Sequence, residues 1–107
     1  MAETYKSFAT NLGSTAATTI YSGVTGTAIV NSINCSNIDI FRSTTITLQV
    51  VKGSTGYSII TGAALPISTS LQALDAPMVL ESGNTLRATA GTTGDVDVIV
   101  SVLEITA

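Results

Sequence analysis

Apolar and polar residues alternate most regularly near the end of the chain, in the run Asp-Val-Asp-Val-Ile-Val-Ser-Val-Leu-Glu-Ile at residues 95–105. Successive side chains of a β-strand point to opposite faces of the sheet, so every second residue shares a face. One face of this run carries four valines, and the other begins polar and becomes apolar with Ile99, Leu103 and Ile105. The pattern therefore predicts a strand in the middle of a sheet, with one face in the core and the far end of its second face also covered.

Earlier residues form short β-branched runs separated by turns that contain Gly, Ser, Asn or Pro, a spacing typical of a sandwich or barrel. Three turns, at 53–56, 82–84 and 91–94, are too short for the crossover that parallel strands need, so we predict antiparallel hairpins there. The predicted strands cover residues 18–22, 27–35, 38–42, 45–52, 57–61, 78–81, 85–90 and 95–105.

This arrangement predicts an all-β chain, an antiparallel β-sandwich of jelly-roll or immunoglobulin type with roughly seven to nine short strands and negligible helix. The predicted core includes the inward-facing residues Ile46, Leu48, Val50, Leu86, Val98 and Val100.

Residues 1–16 are polar, yet they contain Tyr5 and Phe8, two of the five aromatic residues in the chain. Because this segment is too short to form its own core, we assign residues 1–16 to an N-terminal arm and residues 17–107 to the sandwich domain. Two interpretations of the arm are open. Either Tyr5 and Phe8 anchor it on a neighbouring protein, or it folds back as an edge strand of its own domain.

The residue inventory excludes several classes of function. With no histidine, one cysteine and seven scattered carboxylates, the sequence has no nucleophile–base pair and no soft metal site, so we expect neither an enzyme nor a cofactor. A net charge of −3 with only four basic residues argues against nucleic acid as a partner. No apolar run approaches the ~18 residues of a membrane helix, and the first residues do not have the pattern of a secretory signal, so we expect no membrane partner.

Two binding functions remain as alternatives. Asp95 and Asp97, together with Asp75 or Asp39, could supply carboxylates to a calcium ion, although acidic residues beside a strand end are also common as solvated groups that protect an edge. A carbohydrate-binding module could use Asn, Asp and Thr side chains, although only 5% of residues are aromatic.

Only 10% of the residues are charged, whereas a freely soluble small domain carries roughly 25%. Either another protein covers part of the surface, or Thr and Ser hydroxyls solvate it, and the composition is compatible with both. Cys35 lies in an alternating apolar run, where a buried thiol is expected.

Five short motifs follow one another between residues 18 and 105. They are Thr19-Ile20-Tyr21, then Ala28-Ile29-Val30 with Ile33 and Asn37, then Leu65-Pro66-Ile67 with Ser70-Leu71, then Val79-Leu80-Glu81-Ser82-Gly83-Asn84-Thr85-Leu86, and a closing apolar strand from Val100 to Ile105. Together they resemble a group of small virion structural proteins of tailed bacteriophages. Asn84 stands where Asp is commoner in that group, and residues 1–16 lie outside the resemblance.

The resemblance implies a β-sandwich that packs against other virion proteins, as a capsid decoration (cement) protein or as a neck, tail or baseplate component. We favour decoration because the chain is small, has one domain and carries few charges. The major capsid protein or other virion proteins are then the expected partners, and the expected location is the virion, assembled in the host cytoplasm.

The residues predicted to make these contacts are Tyr5 and Phe8 in the arm and Ile99, Leu103 and Ile105 on the second face of the last strand. A single core between two sheets has no obvious use for that second face, so we predict a homo-oligomer, preferably a trimer, or a monomer that becomes ordered on a viral shell. The alternative is a bulge near Ser101 that turns these side chains inward.

Overall fold

A computed structural model of the protein describes residues 2–22 and 26–106, which contain nine strands. Met1, residues 23–25 and Ala107 belong to the predicted arm and sandwich domain but lie outside the described residues. Among the described residues there is no helix that could span a membrane. The strands are β1 (Ala2–Asn11), β2 (Thr18–Ser22), β3 (Thr27–Asn37), β4 (Thr44–Lys52), β5 (Thr55–Leu65), β6 (Ser70–Gln72), β7 (Met78–Leu80), β8 (Thr85–Ala90) and β9 (Val96–Thr106).

These strands form two sheets that pack face to face. Sheet 1 has the order β1-β9-β3-β6, and β7 pairs with the same edge of β3 as β6 does, nearer the start of that strand. Sheet 2 has the order β2-β8-β4-β5. All the pairs are antiparallel, so the predicted antiparallel β-sandwich is confirmed, as is the central position of the last strand.

The core lies between the two sheets and is built from alternate residues of each strand. The inward-facing valines of β9 are buried, and so are the six residues that the sequence places in the core, which confirms that prediction. Each such side chain contributes about 1.5–3 kcal/mol when it is fully removed from water. The buried residues of β9 are Val96, Val98, Val100, Val102 and Glu104.

The prediction of three hairpins is correct for one turn and wrong for two. The predicted turn at 53–56 does join β4 to β5, which are paired neighbours; its first two residues form the connection and its last two begin β5. The turn at 82–84 instead leads from β7 in sheet 1 to β8 in sheet 2, and the turn at 91–94 leads back to β9 in sheet 1. A compact turn can be followed by a strand in the same sheet or in the facing sheet about 10 Å away, so its local sequence does not distinguish the two.

The predicted strand at residues 38–42 is also wrong, because this segment is a loop. The Asp39 Oδ1 atom accepts hydrogen bonds from the backbone N–H groups of Phe41 (2.7 Å) and Arg42 (3.1 Å). The Asp39 N–H in turn donates to the side chain of Asn37 at 2.9 Å. These local bonds occupy backbone donors that a strand would use in pairing, which is how Asn and Asp favour turns.

The segment assigned to an arm forms strand β1 over Ala2–Asn11 and pairs along β9 at the edge of sheet 1. Of the two interpretations of the arm, the second, an edge strand of its own domain, matches this arrangement. Two apolar contacts hold the segment. The Phe8 ring packs against Tyr21, and Leu12 is fully buried, with its N–H donating to the Val96 carbonyl at 2.9 Å.

Ile33 and Ile40 provide a matched test of this architecture. Ile33 on β3 is fully buried, whereas Ile40 in the loop is 65% exposed. We expect Ile33→Ala to lower the free energy of unfolding by about 2–5 kcal/mol, because it leaves a cavity between the sheets. Ile40→Ala should change it by less than about 0.5 kcal/mol. Urea unfolding measures both, and equal effects would contradict the assigned core.

Candidate interaction surface

The outer face of sheet 1 carries a row of apolar side chains that crosses the whole sheet. Tyr5 on β1 lies opposite Leu103 on β9, Leu103 lies opposite Ile29 on β3, and Ile29 lies opposite Val79 on β7. Residues directly opposite one another on neighbouring strands point to the same face. Tyr5, Leu103, Ile29 and Val79 therefore form one continuous strip, named here the apolar row, with its two ends the most exposed, at 78% for Tyr5 and 59% for Val79.

Polarity changes along the strands on either side of the apolar row. On one side Ile105 lies between Glu3 and Thr27, and on the other side follows a row of three serines. Ile99 comes next, and the face ends with Asn11, whose side-chain amide donates to Asp97 Oδ1 at 2.8 Å. Of the predicted contact residues, Tyr5, Ile99, Leu103 and Ile105 thus share this one outer face. The serines are Ser7, Ser101 and Ser32.

The sequence left open whether a bulge near Ser101 turns Leu103 and Ile105 inward. The structure has its bulge on the neighbouring strand, β3, and not on β9. The pairing of β3 with β9 skips one residue, Asn31, between Val30 and Ser32. Strand β9 keeps its alternation past Ser101, so Leu103 and Ile105 stay on the outer face.

Phe8 does not join the other predicted contact residues, because it points toward the facing sheet. Its ring lies 5.1 Å from that of Tyr21 on β2. The Tyr21 hydroxyl donates to Glu104 Oε2 at 2.7 Å, and Lys6 Nζ lies 2.9 Å from Glu104 Oε1. This cluster joins β1 and β9 of sheet 1 to β2 of sheet 2, at the edge where both sheets end.

These contacts shift two pKa values. The hydrogen bond from Lys6, followed by that from Tyr21, lowers the pKa of Glu104 below its ordinary value of 4.5. Burial, together with the bond to the Glu104 carboxylate, raises the pKa of Tyr21 above its ordinary value of 10.0. Lys6, Tyr21 and Glu104 were not predicted as a cluster, since they are far apart in the sequence. The alternation of β9 does place Glu104 on the same face as its four valines, which is the one signal in the sequence that a charged group faces inward there.

The outer face of sheet 2 has a different character. Hydroxyl and amide side chains lie opposite one another there, as in the pairs Thr47 with Thr89 and Gln49 with Arg87. The Arg87 Nε atom donates to Gln49 Oε1 at 2.6 Å, so this guanidinium donor already has a hydrogen-bond acceptor on the same face. Polar groups that are satisfied and hydrated gain little from being covered by another protein. The outer face of sheet 1 is therefore the better candidate for contact.

The loop at residues 38–43, named here the end loop, also exposes apolar side chains at one end of the sandwich. Ile40 and Phe41 lie at its tip, and Phe41 is 82% exposed. The buried Asn37 side chain anchors the loop, because its Nδ2 atom lies 2.9 Å from the Arg42 carbonyl oxygen and 3.0 Å from that of Leu65. Arg42 adds ion pairs to Asp39 at 3.1 Å and to Asp95 at 2.9 Å.

The carboxylates considered for calcium are arranged differently from a metal site. The Arg42 guanidinium lies between Asp39 and Asp95, and Asp97 points to the outer face of sheet 1. The backbone N–H of Phe41 and the Arg42 side chain lower the pKa of Asp39, as expected for a carboxylate that stays ionised beside these donors. Residues 2–22 and 26–106 hold no group of three or more His, Cys, Asp or Glu side chains placed to bind a metal ion.

Cys35 is buried on β3. Burial raises the pKa of its thiol to about 11, so the side chain is neutral at physiological pH.

The sequence matches no known protein family and no curated protein. Solved structures do share the fold. A chain from the structure described as "Bacillus endospore appendages form a novel family of disulfide-linked pili" has a TM-score of 0.54 at 12% identity, with 99% of this chain and 88% of that chain covered. A pentameric capsid protein isolated from metagenomic phage sequences has a TM-score of 0.52 at 18% identity, covering 92% of this chain.

A third similar structure comes from the T13 particle of IBDV, with a TM-score of 0.52, 8% identity and 94% of this chain covered. This chain spans 59% of the phage capsid protein and 30% of the IBDV chain. At identities this low, the structural similarity establishes a shared fold and nothing further. The structures that share the fold include a capsid protein, a viral particle and pili.

The Glu104 cluster predicts how stability depends on pH. Since the folded protein lowers the pKa of Glu104, protons bind more tightly to the unfolded chain. The stabilisation should be complete above the ordinary value of 4.5 and should be lost as the pH falls through the lowered value. Tyr21→Phe removes one hydrogen bond to a charged group, so we expect it to lower the free energy of unfolding by about 1.5–3 kcal/mol at neutral pH and to weaken the acid dependence.

Urea unfolding between pH 3 and pH 7 measures these effects. Glu104→Gln should reduce the acid dependence further, leaving the part that Asp39 contributes through its own lowered pKa. The control is Glu81→Gln, because Glu81 is largely exposed and lies 3.7 Å from Lys52. An acid slope that is the same in Glu104→Gln as in the unchanged protein would contradict this assignment.

Proposed function

We propose that the protein is a virion structural protein, a capsid decoration (cement) protein that binds the outside of a viral shell through the outer face of sheet 1. The observation that carries this proposal is the apolar row, which spans the sheet while the facing sheet presents hydroxyl and amide groups to solvent. The major capsid protein is the proposed partner, and the virion is the proposed location.

The dimensions of this face suit a protein–protein contact. Four strand positions at about 4.8 Å and strands of about ten residues at about 3.3 Å give a surface of roughly 19 by 33 Å. That approaches the roughly 800 Å² that each partner contributes to a standard interface. A contact centred on Leu103 and Ile29 would have an apolar middle, with the serines and Asn11 at its polar rim, as interfaces commonly have.

The fold and composition also favour a structural subunit. The chain shares its fold with a phage capsid protein and with subunits of other assemblies. Its low content of charged residues, 10%, is suited to a surface that is covered in the assembled particle. The exposed rings of Tyr5, Tyr57 and Phe41 lie on three separate surfaces, so they do not form the paired aromatic platform that would favour a carbohydrate-binding module.

The N-terminal segment takes part in this proposal through β1. Tyr5 stands at one end of the apolar row, while Phe8 holds the strand on its own domain by packing on Tyr21. The outer edge of β1 is available to neighbouring copies, and contacts of this kind around a shell axis would give the trimer that we propose as the oligomer.

Two double variants with equal charge test the proposal. Tyr5→Glu with Val79→Glu places two carboxylates at the exposed ends of the apolar row, whereas Thr19→Glu with Thr89→Glu places two on the outer face of sheet 2. Each carboxylate desolvated at an interface should cost about 2 kcal/mol or more, roughly thirty-fold in affinity. We therefore expect the first variant to lose binding to shells stripped of this protein and the second to bind within about two-fold of the unchanged chain.

Cosedimentation with stripped shells measures the binding. Equal binding by both variants would contradict the assignment of the outer face of sheet 1. A reconstruction of the virion then separates the two structural roles, because copies spread over the shell support decoration, whereas a ring at one vertex would show a neck, tail or baseplate component.

A further inference from the structure

Strand β1 is held in a site that later parts of the chain build, named here the β1 site. The edge of β9 pairs with β1 over ten residue pairs. Beside that edge the Phe8 ring packs on Tyr21, and Lys6 Nζ lies 2.9 Å from Glu104 Oε1. Leu12, directly after β1, is fully buried in the same core. The β1 site therefore combines a strand edge, an aromatic ring, a carboxylate and an apolar pocket.

The β1 site selects for the sequence of β1 itself. Lys6, Phe8 and Leu12 are separated by even numbers of residues, so all three point inward from one strand. No other basic residue in the sequence is followed after two positions by an aromatic residue and after six by a leucine. Among copies of this chain, the segment that fits the site is therefore β1 and no other.

A linker of five residues, 13–17, joins Leu12 to β2. Its sequence is Gly-Ser-Thr-Ala-Ala, and all five residues are exposed. A local hydrogen bond lies within it, from the Ala16 N–H to Ser14 Oγ at 3.3 Å. The six steps of chain from Leu12 to Thr18 can span about 20 Å, whereas packed sheets are roughly 10 Å apart. The linker is thus longer than the crossing between the two sheets requires.

We propose that copies of the chain exchange β1, so that β1 of one copy occupies the β1 site of a second copy while its linker crosses between them. The pairing with β9, the Phe8 contact with Tyr21 and the ion pair of Lys6 with Glu104 are then made between chains. Such domain swapping has a low cost because both forms contain the same contacts.

The direction of β1 favours exchange around a three-fold axis. Copies related by an axis parallel to β1 have the Leu12 ends of their sites at one level, where each linker can reach the next site. In a two-fold pair of antiparallel edges these ends lie up to about 33 Å apart, the length of ten extended residues, which exceeds the reach of the linker. The exchange specifies how the trimer given under Proposed function closes, and it requires no contact with a shell.

Concentration should control the exchange. A short linker gives β1 an effective concentration in the millimolar range at its own site. Because the contacts are the same in both forms, exchange becomes extensive when the protein itself approaches about 1 mM and is rare at about 1 µM.

Two single variants detect exchanged strands. Ser7 on β1 lies directly opposite Ser101 on β9, and Cα atoms in such pairs are about 4.5–5.5 Å apart, within the range of a disulfide. Ser7→Cys and a tagged Ser101→Cys are unfolded together in urea, refolded under reducing conditions and then oxidised. Each chain carries one of the two introduced cysteines, so only an exchanged β1 brings them together. Cys35 is buried in the folded chain.

We expect the mixed disulfide in at least about a tenth of the chains after refolding at about 1 mM, with at least a roughly ten-fold lower yield at about 1 µM. A single chain that carries both Ser7→Cys and Ser101→Cys should form the bond within itself at the lower concentration. Removal of residues 14–16 leaves about 10 Å of chain between Leu12 and Thr18, so it should raise the yield at the lower concentration toward that at the higher.

The matched control replaces Ser101→Cys by Ser32→Cys. Ser32 lies next to Ser101 in the same row, two strand spacings or about 10 Å from Ser7, which is too far for a disulfide. Two intact copies stacked through the outer face of sheet 1 would link Ser7→Cys to either partner, whereas exchange links it to Ser101→Cys alone.

Equal yields with Ser32→Cys and Ser101→Cys, no mixed disulfide at about 1 mM, or a yield that does not respond to the shorter linker would overturn the proposal. The experiment contains no shell. Its result is therefore independent of whether the outer face of sheet 1 binds a capsid.

Discussion

The structure depends on the pairing of β9 between β1 and β3. This strand supplies inward-facing valines to the core and, through the alternate positions, Leu103 to the apolar row. Because the side-chain period of a strand is two, a slip of one residue would exchange these two sets and expose the valines. The same register therefore fixes both the stability of the sandwich and the position of its candidate contact surface, and neither could change without the other.

Much of the fold could be predicted because it depends on local patterns. Alternation along residues 95–105 identified a central strand, and β2 and β8 begin and end at the predicted residues. The errors occur where the outcome depends on distant parts of the chain. The residues of the turns at 82–84 and 91–94 do not determine which sheet the next strand joins. Residues 38–42 form a loop because the side chains of Asn37 and Asp39 bind nearby backbone groups.

The candidate surface was only partly predictable for the same reason. Tyr5, Leu103 and Ile105 could be named from the patterns of their own segments, but Ile29 and Val79 join them only through the register of β3 with β9 and β7. Phe8 looked equivalent to Tyr5 in the sequence, yet an odd spacing along a strand places the two on opposite faces. The polar partners of Glu104 were likewise invisible, because Lys6 and Tyr21 meet it across three strands.

The bulge at Asn31 changes which alternate residues of β3 face the core. In the second half of the strand the odd-numbered residues, Ile33 and Cys35, are buried, whereas in the first half the even-numbered residues, Ala28 and Val30, are buried. The single extra residue reconciles two stretches whose patterns are out of phase. During divergence of such chains, this strand can therefore gain or lose residues in pairs, whereas the loss of one residue would need a compensating insertion in the same strand to keep both halves in phase.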